Sequence, residues 1–313
     1  MDRQRLRDRV ATMLGFAAAG GAILLLGPAA DASAGAGGAG DRPAATVSLQ
    51  AVIRDFNERG TRGGHPDFES RPSGGFGLTL GLVEDRLDED GRPVFSGEGR
   101  RLLTPYRNAE GEAIAPAHAD PSRRDAEGQW GTVCDGGVQS RHSFSSWFED
   151  VPGVNATGTL ELRLERAPTT RRWIFDDRMD PELRGRGGFF PINGSLLGNG
   201  AGDDRNHHFT VEASAEFTFD AGNTGFIEIR SADDAWVFID GRLAIDLGGV
   251  HSPAKQTIEL DRLHWLEDGQ TYRVDLFFAD RHRAQSSLRI ETDLELRGLS
   301  PERGAPLANV SAE

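Results

Sequence analysis

Two aspartates stand side by side in the sequence, Asp233 and Asp234, directly before the apolar run 235–239. On a regular strand, adjacent side chains point to opposite faces, so both carboxylates reach one ion only if the chain turns between them. Two carboxylates about 4 Å apart repel by about 4 kcal/mol at an effective dielectric constant of ~20. A calcium ion, which takes roughly six to eight oxygen ligands, would offset that repulsion. The alternative is an ordinary acidic turn, in which an aspartate accepts hydrogen bonds from its own backbone.

Three histidines, His208, His251 and His282, lie near the ends of predicted strands and could bind zinc with nearby aspartates. Nothing in their spacing forces them together, because the sequence has no His-x-His or His-x-x-x-His pattern. We therefore expect these histidines to form structural hydrogen bonds. The sequence also lacks a Gly-x-Ser-x-Gly elbow, a His-Glu-x-x-His helix and a phosphate-binding loop, which favours a non-catalytic protein.

The N-terminal segment predicts export. Four arginines between residues 3 and 9 precede an apolar stretch at 10–26, and Ala32-Ser33-Ala34 supplies small residues at a cleavage spacing. This pattern is typical of a secretory signal peptide over residues 1–34, and a retained membrane anchor is the alternative. We expect a secreted or cell-surface protein that does not span the membrane once the signal peptide is removed.

The chain is acidic, with a formal net charge of −14, and has no basic stripe with interleaved aromatic residues. A protein of this charge repels phosphate backbones, so nucleic acid is not an expected partner. Cys134 is the single cysteine, which excludes an internal disulfide, and we expect a buried thiol.

The second half of the chain carries the alternation of apolar and polar residues that is typical of strands. We predict strands at 226–230, 235–239, 242–247, 271–279 and 287–297, and a two-residue hairpin at Asp240-Gly241, since this pair tolerates positive φ angles. No long amphipathic helix is evident. The prediction is an all-β domain at 47–298 folded as an antiparallel sandwich or barrel, between a flexible linker (35–46) and a disordered tail (299–313).

Several segments resemble the fibro-slime domain, a relative of the PA14 fold, in order and spacing. They are VIRDF at 52–56, HPDFE at 65–69, WFEDVPGVN at 147–155, FFPI at 189–192, HFTVE at 208–212, DDAWVFIDG at 233–241, IDLGGVH at 245–251 and FFADRH at 277–282. The resemblance spans 52–282 and implies a β-barrel of the kind found in toxins, glycosidases and adhesins.

The resemblance also implies a site. In the sugar-binding PA14 modules, two consecutive aspartates and a loop after a later strand hold a calcium ion that contacts sugar hydroxyls. Here the pair corresponds to Asp233 and Asp234, joined by a cis or sharply turned peptide, and the loop is 280–287 with Asp280 as the third carboxylate. The candidate ligand-binding residues around this site are Trp236, His251, Arg281 and His282. The loop departs from the adhesin pattern, because Asp280 stands where asparagine is usual and two arginines follow it.

Two functions remain open at this point. One is calcium-dependent carbohydrate binding for adhesion, with an extracellular glycan as the partner. The other is a structural or protein-binding module of the extracellular matrix without a sugar site. An arginine of the loop paired with Asp233 or Asp234 would favour the second function.

Overall fold

The computed structural model describes residues 46–300. The predicted signal peptide lies outside the described residues, as do residues 35–45 of the predicted linker and 301–313 of the predicted tail. The strands, in chain order, are β1 (Thr46–Phe56), β2 (Thr79–Leu80), β3 (Gly99–Thr104), β4 (Tyr106–Arg107), β5 (Ala113–Ile114), β6 (Gln129–Cys134), β7 (Asn155–Arg166), β8 (Trp173–Asp176), β9 (Phe209–Thr218), β10 (Phe226–Ala232), β11 (Asp234–Ile239), β12 (Arg242–Leu247), β13 (Ala254–Glu259), β14 (Thr271–Asp280), β15 (Ser287–Thr292) and β16 (Arg297–Gly298). The helices are α1 (Arg141–Ser145) and the short 3-10 helices Pro116–His118, Pro121–Arg123, Ser146–Phe148 and Leu260–Arg262.

Every strand pairing among these residues is antiparallel, which confirms the predicted all-β antiparallel class. The main sheet has the order β12-β11-β14-β9-β1-β7-β8-β15-β10-β13, and β16 pairs with β9. The two ends of this order are consecutive strands in the chain. The backbone N–H of Asp246 on β12 donates to Gln256 Oε1 on β13 at 2.9 Å, so the sheet nearly closes into a barrel.

The predicted strands of the second half are present, with one exception. Asp240 and Gly241 have φ angles of 53° and 68°, as a type I′ hairpin requires. The strand predicted at 287–297 was too long, because β15 ends at Thr292 and the chain pairs again only at Arg297–Gly298. Leu294 is buried in the core although its segment is not a strand, so its apolar character extended the predicted pattern.

Strand β11 is apolar on both faces because each face packs against a different core. Ala235, Val237 and Ile239 contribute to the large cluster between the two halves of the main sheet. Trp236 and Phe238 contribute to a second cluster formed with the segment between β1 and β7. This inserted segment covers the outer face of β11 and of β14 from residue 274 onward, so both faces are excluded from water there.

Three neighbouring strands end at the same edge of the main sheet. Asp55 on β1 lies opposite Phe209 at the start of β9, and Phe209 lies opposite Asp280 at the end of β14. Residues just beyond these positions therefore lie close together although they are distant in the sequence. Cys134 is buried, as predicted, with its sulfur 3.5 Å from Thr79 Oγ1. Over residues 46–300, no helix is long and apolar enough to cross a bilayer.

Candidate functional site

Asp233 forms the turn between β10 and β11. These consecutive strands do not pair with each other: β10 pairs with β13 and β15, whereas β11 pairs with β12 and β14. The chain changes direction at Asp233, whose φ of 62° lies in the left-handed region that few non-glycine residues adopt. The sharp turn expected at the pair is therefore present, and it is made without a cis peptide bond in residues 46–300.

All four carboxylate oxygens of the pair accept hydrogen bonds from nitrogen. Asp233 accepts from the backbone N–H groups of His251 and Arg281, each at 3.1 Å. Asp234 accepts from the backbone N–H of Gly249 at 2.6 Å and from the Arg281 side chain, whose Nε lies 2.7 Å from Asp234 Oδ2. Arg281 thus contacts both carboxylates, one through its backbone and one through its guanidinium.

The guanidinium of Arg281 is enclosed by the protein. Its side chain and that of Asp234 have no exposed area, and a second nitrogen donates to the carbonyl of Gly136 at 2.9 Å. The guanidinium carbon also lies 4.8 Å from the centroid of the Trp147 ring, within range of a cation–π interaction. Burial lowers the pKa of Arg281, but the charge and hydrogen bond of Asp234 outweigh burial, so that the pKa is raised. Arg281 therefore supplies a fixed positive charge at the pair.

The carboxylates of Asp233 and Asp280 are also buried, but neither has an arginine side chain as a partner, as Asp234 has in Arg281. Burial raises the pKa of Asp233 well above its ordinary value, and the charges of Asp280 and Asp234 raise it further. Burial also raises the pKa of Asp280, against a smaller opposing effect of His207. Neither oxygen of Asp280 has a hydrogen-bond partner, and His207 Nδ1 lies 3.7 Å from Oδ2. Both groups therefore favour the protonated form more strongly than an exposed aspartate does.

This arrangement does not fit a calcium ion. Calcium requires free oxygen ligands at about 2.3–2.6 Å, whereas the four oxygens of the pair are occupied by N–H donors. Among the described residues, Asp233, Asp234 and Asp280 do not bring one oxygen each within 4.8 Å of one another. Arg281 already supplies the charge that calcium would bring. We therefore derive no step through calcium; the calcium binding expected from the sequence is untested, and this geometry disfavours it.

Two of the four predicted ligand-binding residues cannot reach a ligand. Trp236 is fully buried, and its indole N–H donates to Asp246 Oδ1 at 3.0 Å. Arg281 is equally buried. The assignment of these two residues to ligand contact stays a prediction, although neither side chain is accessible in this structure. The reason is the segment inserted between β1 and β7, which covers a sheet face that the strand pattern alone leaves open.

The other two predicted residues, His251 and His282, line a cleft of about 510 Å³ beside the aspartate pair. Phe76 forms part of its wall and is 52% exposed, with its ring centroid 5.0 Å from that of His282. The cleft is completed by Asp233, Val250, Ser252, Arg283, Ala284 and Gln285.

Phe76 was not singled out from the sequence. It lies in the run Ser73-Gly-Gly-Phe-Gly, and an aromatic residue flanked by glycines in a loop is a signal that could have indicated an exposed ring. The loop is fixed to the opposite side of the cleft, because Gly77 N–H donates to Val250 O at 2.6 Å. Phe76 therefore stands on a constrained backbone.

One family model matches the part of the chain that contains the aspartate pair. Residues 201–303 match the PA14 domain family. The matched segment contains β9 to β16, the aspartate pair and the loop after β14. The finer resemblance, to the fibro-slime domain, stays a prediction.

Curated relatives come from Dictyostelium discoideum. Protein psiR is 28% identical over 80% of this chain and 22% of its own length, and protein psiN is 30% identical over 80% of this chain and 30% of its own length. Protein psiD is 34% identical over 50% of this chain. The chain spans about a fifth to a third of the length of these relatives.

Two solved structures align along most of the chain. The PA14 sugar-binding domain from an RTX adhesin has 11% identity over 80% of this chain and 90% of that domain, with a TM-score of 0.25. The PA14 domain of the MpAFP antifreeze protein has 7% identity over 82% of this chain and 90% of that domain, with a TM-score of 0.26.

Proposed function

We propose that this chain is a non-catalytic extracellular module that binds carbohydrate for adhesion, and that the cleft at Phe76 is its binding site. The observation that carries the proposal is the exposed ring of Phe76 on a constrained loop, which lines the same cleft as exposed polar side chains of the PA14-matching segment 201–303. The export expected from residues 1–34 is part of this proposal.

The chemistry of the cleft suits a sugar ring. A pyranose has an apolar face of C–H groups, which packs on an aromatic ring, and a rim of hydroxyl groups that need hydrogen-bond partners. Phe76 supplies the ring, and the exposed side chains of Ser252, Arg283 and Gln285 supply donors and acceptors. An apolar wall with a few convergent polar groups is the usual composition of a small-molecule site.

In our proposal, the positive charge at the aspartate pair is that of Arg281 and not that of a bound ion. Arg281 pairs with Asp234 at 2.7 Å below the cleft, so the aspartate pair shapes the loops and does not present an ion to the ligand. Binding through one ring and a few hydroxyls would be weak for a single module. Repeated modules on one surface would raise the apparent affinity through multivalency.

A glycan array tests the proposal. The wild-type protein should bind a defined subset of glycans in the presence of EDTA, and Phe76→Ala should abolish that binding. Met179→Ala is the matched control, because Met179 is 70% exposed but does not line the cleft. Absence of glycan binding by the folded wild-type protein, or equal binding by Phe76→Ala, would reject the cleft as a sugar site.

A second candidate is a structural or protein-binding module of the extracellular matrix. It is favoured by the buried Arg281–Asp234 pair, which takes the place of a calcium ion at the aspartates. In this case the array would remain empty, whereas matrix proteins immobilised on a surface would retain the wild-type protein.

A further inference from the structure

A second cluster of charged side chains lies beside the cleft, at the edge where β1, β9 and β14 end. It contains two glutamates and two histidines. Glu58 follows β1, His208 precedes β9, His282 follows β14, and Glu69 lies in the inserted segment. The backbone register explains their proximity, since Asp55, Phe209 and Asp280 are neighbours across the three strands.

The spacing of three donor atoms suits a tetrahedral metal ion. One ligand atom each from Glu58, Glu69 and His208 lies within 4.8 Å of the other two. His208 Nε2 is 3.0 Å from Glu69 Oε1 and 3.8 Å from Glu58 Oε2. Zinc binds nitrogen and oxygen at roughly 2.0–2.2 Å, and tetrahedral ligands at that distance are about 3.4 Å apart. The two observed distances lie on either side of this value.

His282 lies beside this group and contacts Glu69, but its ring nitrogens are not within 4.8 Å of all three donor atoms. Its Nε2 lies 2.8 Å from the carbonyl oxygen of Ser70, which can only accept, so this nitrogen carries the proton. In the neutral ring, Nδ1 then presents its lone pair to Glu69 Oε2 at 3.2 Å. Two lone pairs at this distance repel unless a proton or a metal ion lies nearby. A histidine that donates its other N–H to a backbone carbonyl is the usual arrangement around a bound metal.

Glu69 is held firmly in position. Its φ is 62°, its backbone N–H donates to the carbonyl of Arg281 at 2.9 Å, and its Oε1 accepts from the backbone N–H of Arg283 at 2.8 Å. A non-glycine residue in the left-handed region is strained, and the surrounding contacts must offset that strain.

Arg283 is the internal competitor for this cluster. Its guanidinium pairs with Glu58, and its side chain is 33% exposed, so it can move into solvent. Glu58, Glu69, His208 and His282 together carry two negative charges when the histidines are neutral. A divalent ion would neutralise both and release Arg283 from Glu58.

We infer that Glu58, Glu69 and His208 form a binding site for one divalent transition-metal ion of the zinc type, with His282 next to Glu69 at its edge. Imidazole nitrogen with carboxylate oxygen is a donor set that zinc accepts readily. This site is separate from the aspartate pair; His282 and Arg283 also line the cleft, but zinc binding does not depend on the proposed carbohydrate function.

The test is calorimetric titration of ZnCl2 into the untagged, EDTA-treated and dialysed protein. We expect saturable binding of one zinc per chain. Glu58→Gln and Glu69→Gln should each weaken the affinity about tenfold or more, since each removes one charged ligand. Glu110→Gln and His142→Ala, two exposed positions outside the cluster, should leave it unchanged.

Arg283→Gln is the variant that best distinguishes a metal site from an ion-pair network. If a metal binds here, removing the competing charge should raise the zinc affinity about tenfold, in proportion to the lost repulsion. If the cluster is only an ion-pair network, Arg283→Gln lowers stability and adds no affinity. Circular dichroism of each metal-free variant verifies the fold. Zinc binding that is absent, or equal in wild type, Glu58→Gln and Glu69→Gln, would overturn the inference.

Discussion

Replacing the buried arginine beside the aspartate pair, as Arg281→Met, should destabilise the domain strongly. The substitution removes the 2.7 Å contact to Asp234 and the hydrogen bond to Gly136, but keeps the backbone N–H that Asp233 accepts. The attraction of two unit charges at that distance is about 6 kcal/mol at an effective dielectric constant of ~20. The loss of one partner from a buried pair typically destabilises by roughly 3–5 kcal/mol.

Thermal unfolding followed by circular dichroism at pH 7 measures this effect. For a domain of this size, 3–5 kcal/mol corresponds to a decrease in Tm of about 10 °C. Arg141→Met is the matched control, because Arg141 pairs with Glu84 at 3.1 Å while 60% exposed, and surface pairs contribute less than about 1 kcal/mol. Adding Asp234→Asn to Arg281→Met should recover part of the loss. Equal Tm values for Arg281→Met and Arg141→Met would refute the assigned role of Arg281.

Three further predictions follow from the same geometry. Millimolar CaCl2 should leave the Tm of the wild type and of Asp234→Asn unchanged; a wild-type increase that Asp234→Asn abolishes would restore the calcium site. Burial raises the pKa of Asp246 to about 6, so its contribution to stability is complete below its unfolded pKa and is lost as pH rises through 6. Asp246→Asn should remove about 2 kcal/mol of that decline between pH 4 and 7, and an unaltered urea-unfolding pH profile would contradict this. Gly249→Ala should destabilise by more than about 2 kcal/mol, because φ is 92° and a Cβ would lie 3.0 Å from Gly77 O. Gly241→Ala should destabilise by only about 1 kcal/mol, because φ is 68° and no atom lies within 4 Å of the added Cβ. Similar losses in chemical denaturation would reject this contrast.

The strands of the second half could be predicted because the alternation of apolar and polar residues depends only on residues close together in the sequence. Alternation over five or more residues indicates a strand wherever it packs, and Asp240-Gly241 specifies its own turn through two positive φ angles. The sharp turn at Asp233 was predictable for the same reason, since neither carboxylate can reach a common partner from a straight strand.

The sequence alone does not show whether the positive charge beside the aspartate pair comes from Arg281 or from a bound ion. Whether Arg281 points into the protein or into solvent depends on the inserted segment, which supplies Gly136 and Trp147 to enclose it. The same segment buries Trp236, which the strand pattern left available to a ligand. These contacts join residues 89 to 145 positions apart, so no local periodicity in the sequence indicates them.

The Glu58–Glu69–His208–His282 cluster was missed for a related reason. Its members span most of the described chain, so no spacing motif connects them. Their proximity follows from the antiparallel register of β1, β9 and β14, which becomes known only when the order of strands in the sheet is known. The histidine positions near strand ends were the available signal, and they were interpreted as structural.

The most direct test of the account is a calorimetric titration of the best glycan from the array into the wild-type protein, once in EDTA and once in CaCl2. We predict the same affinity in both solutions, because Arg281 supplies the charge beneath the cleft and Phe76 supplies the ring that packs on the sugar. Binding that occurs only with calcium would contradict the account and assign the ligand to an ion held by the aspartate pair.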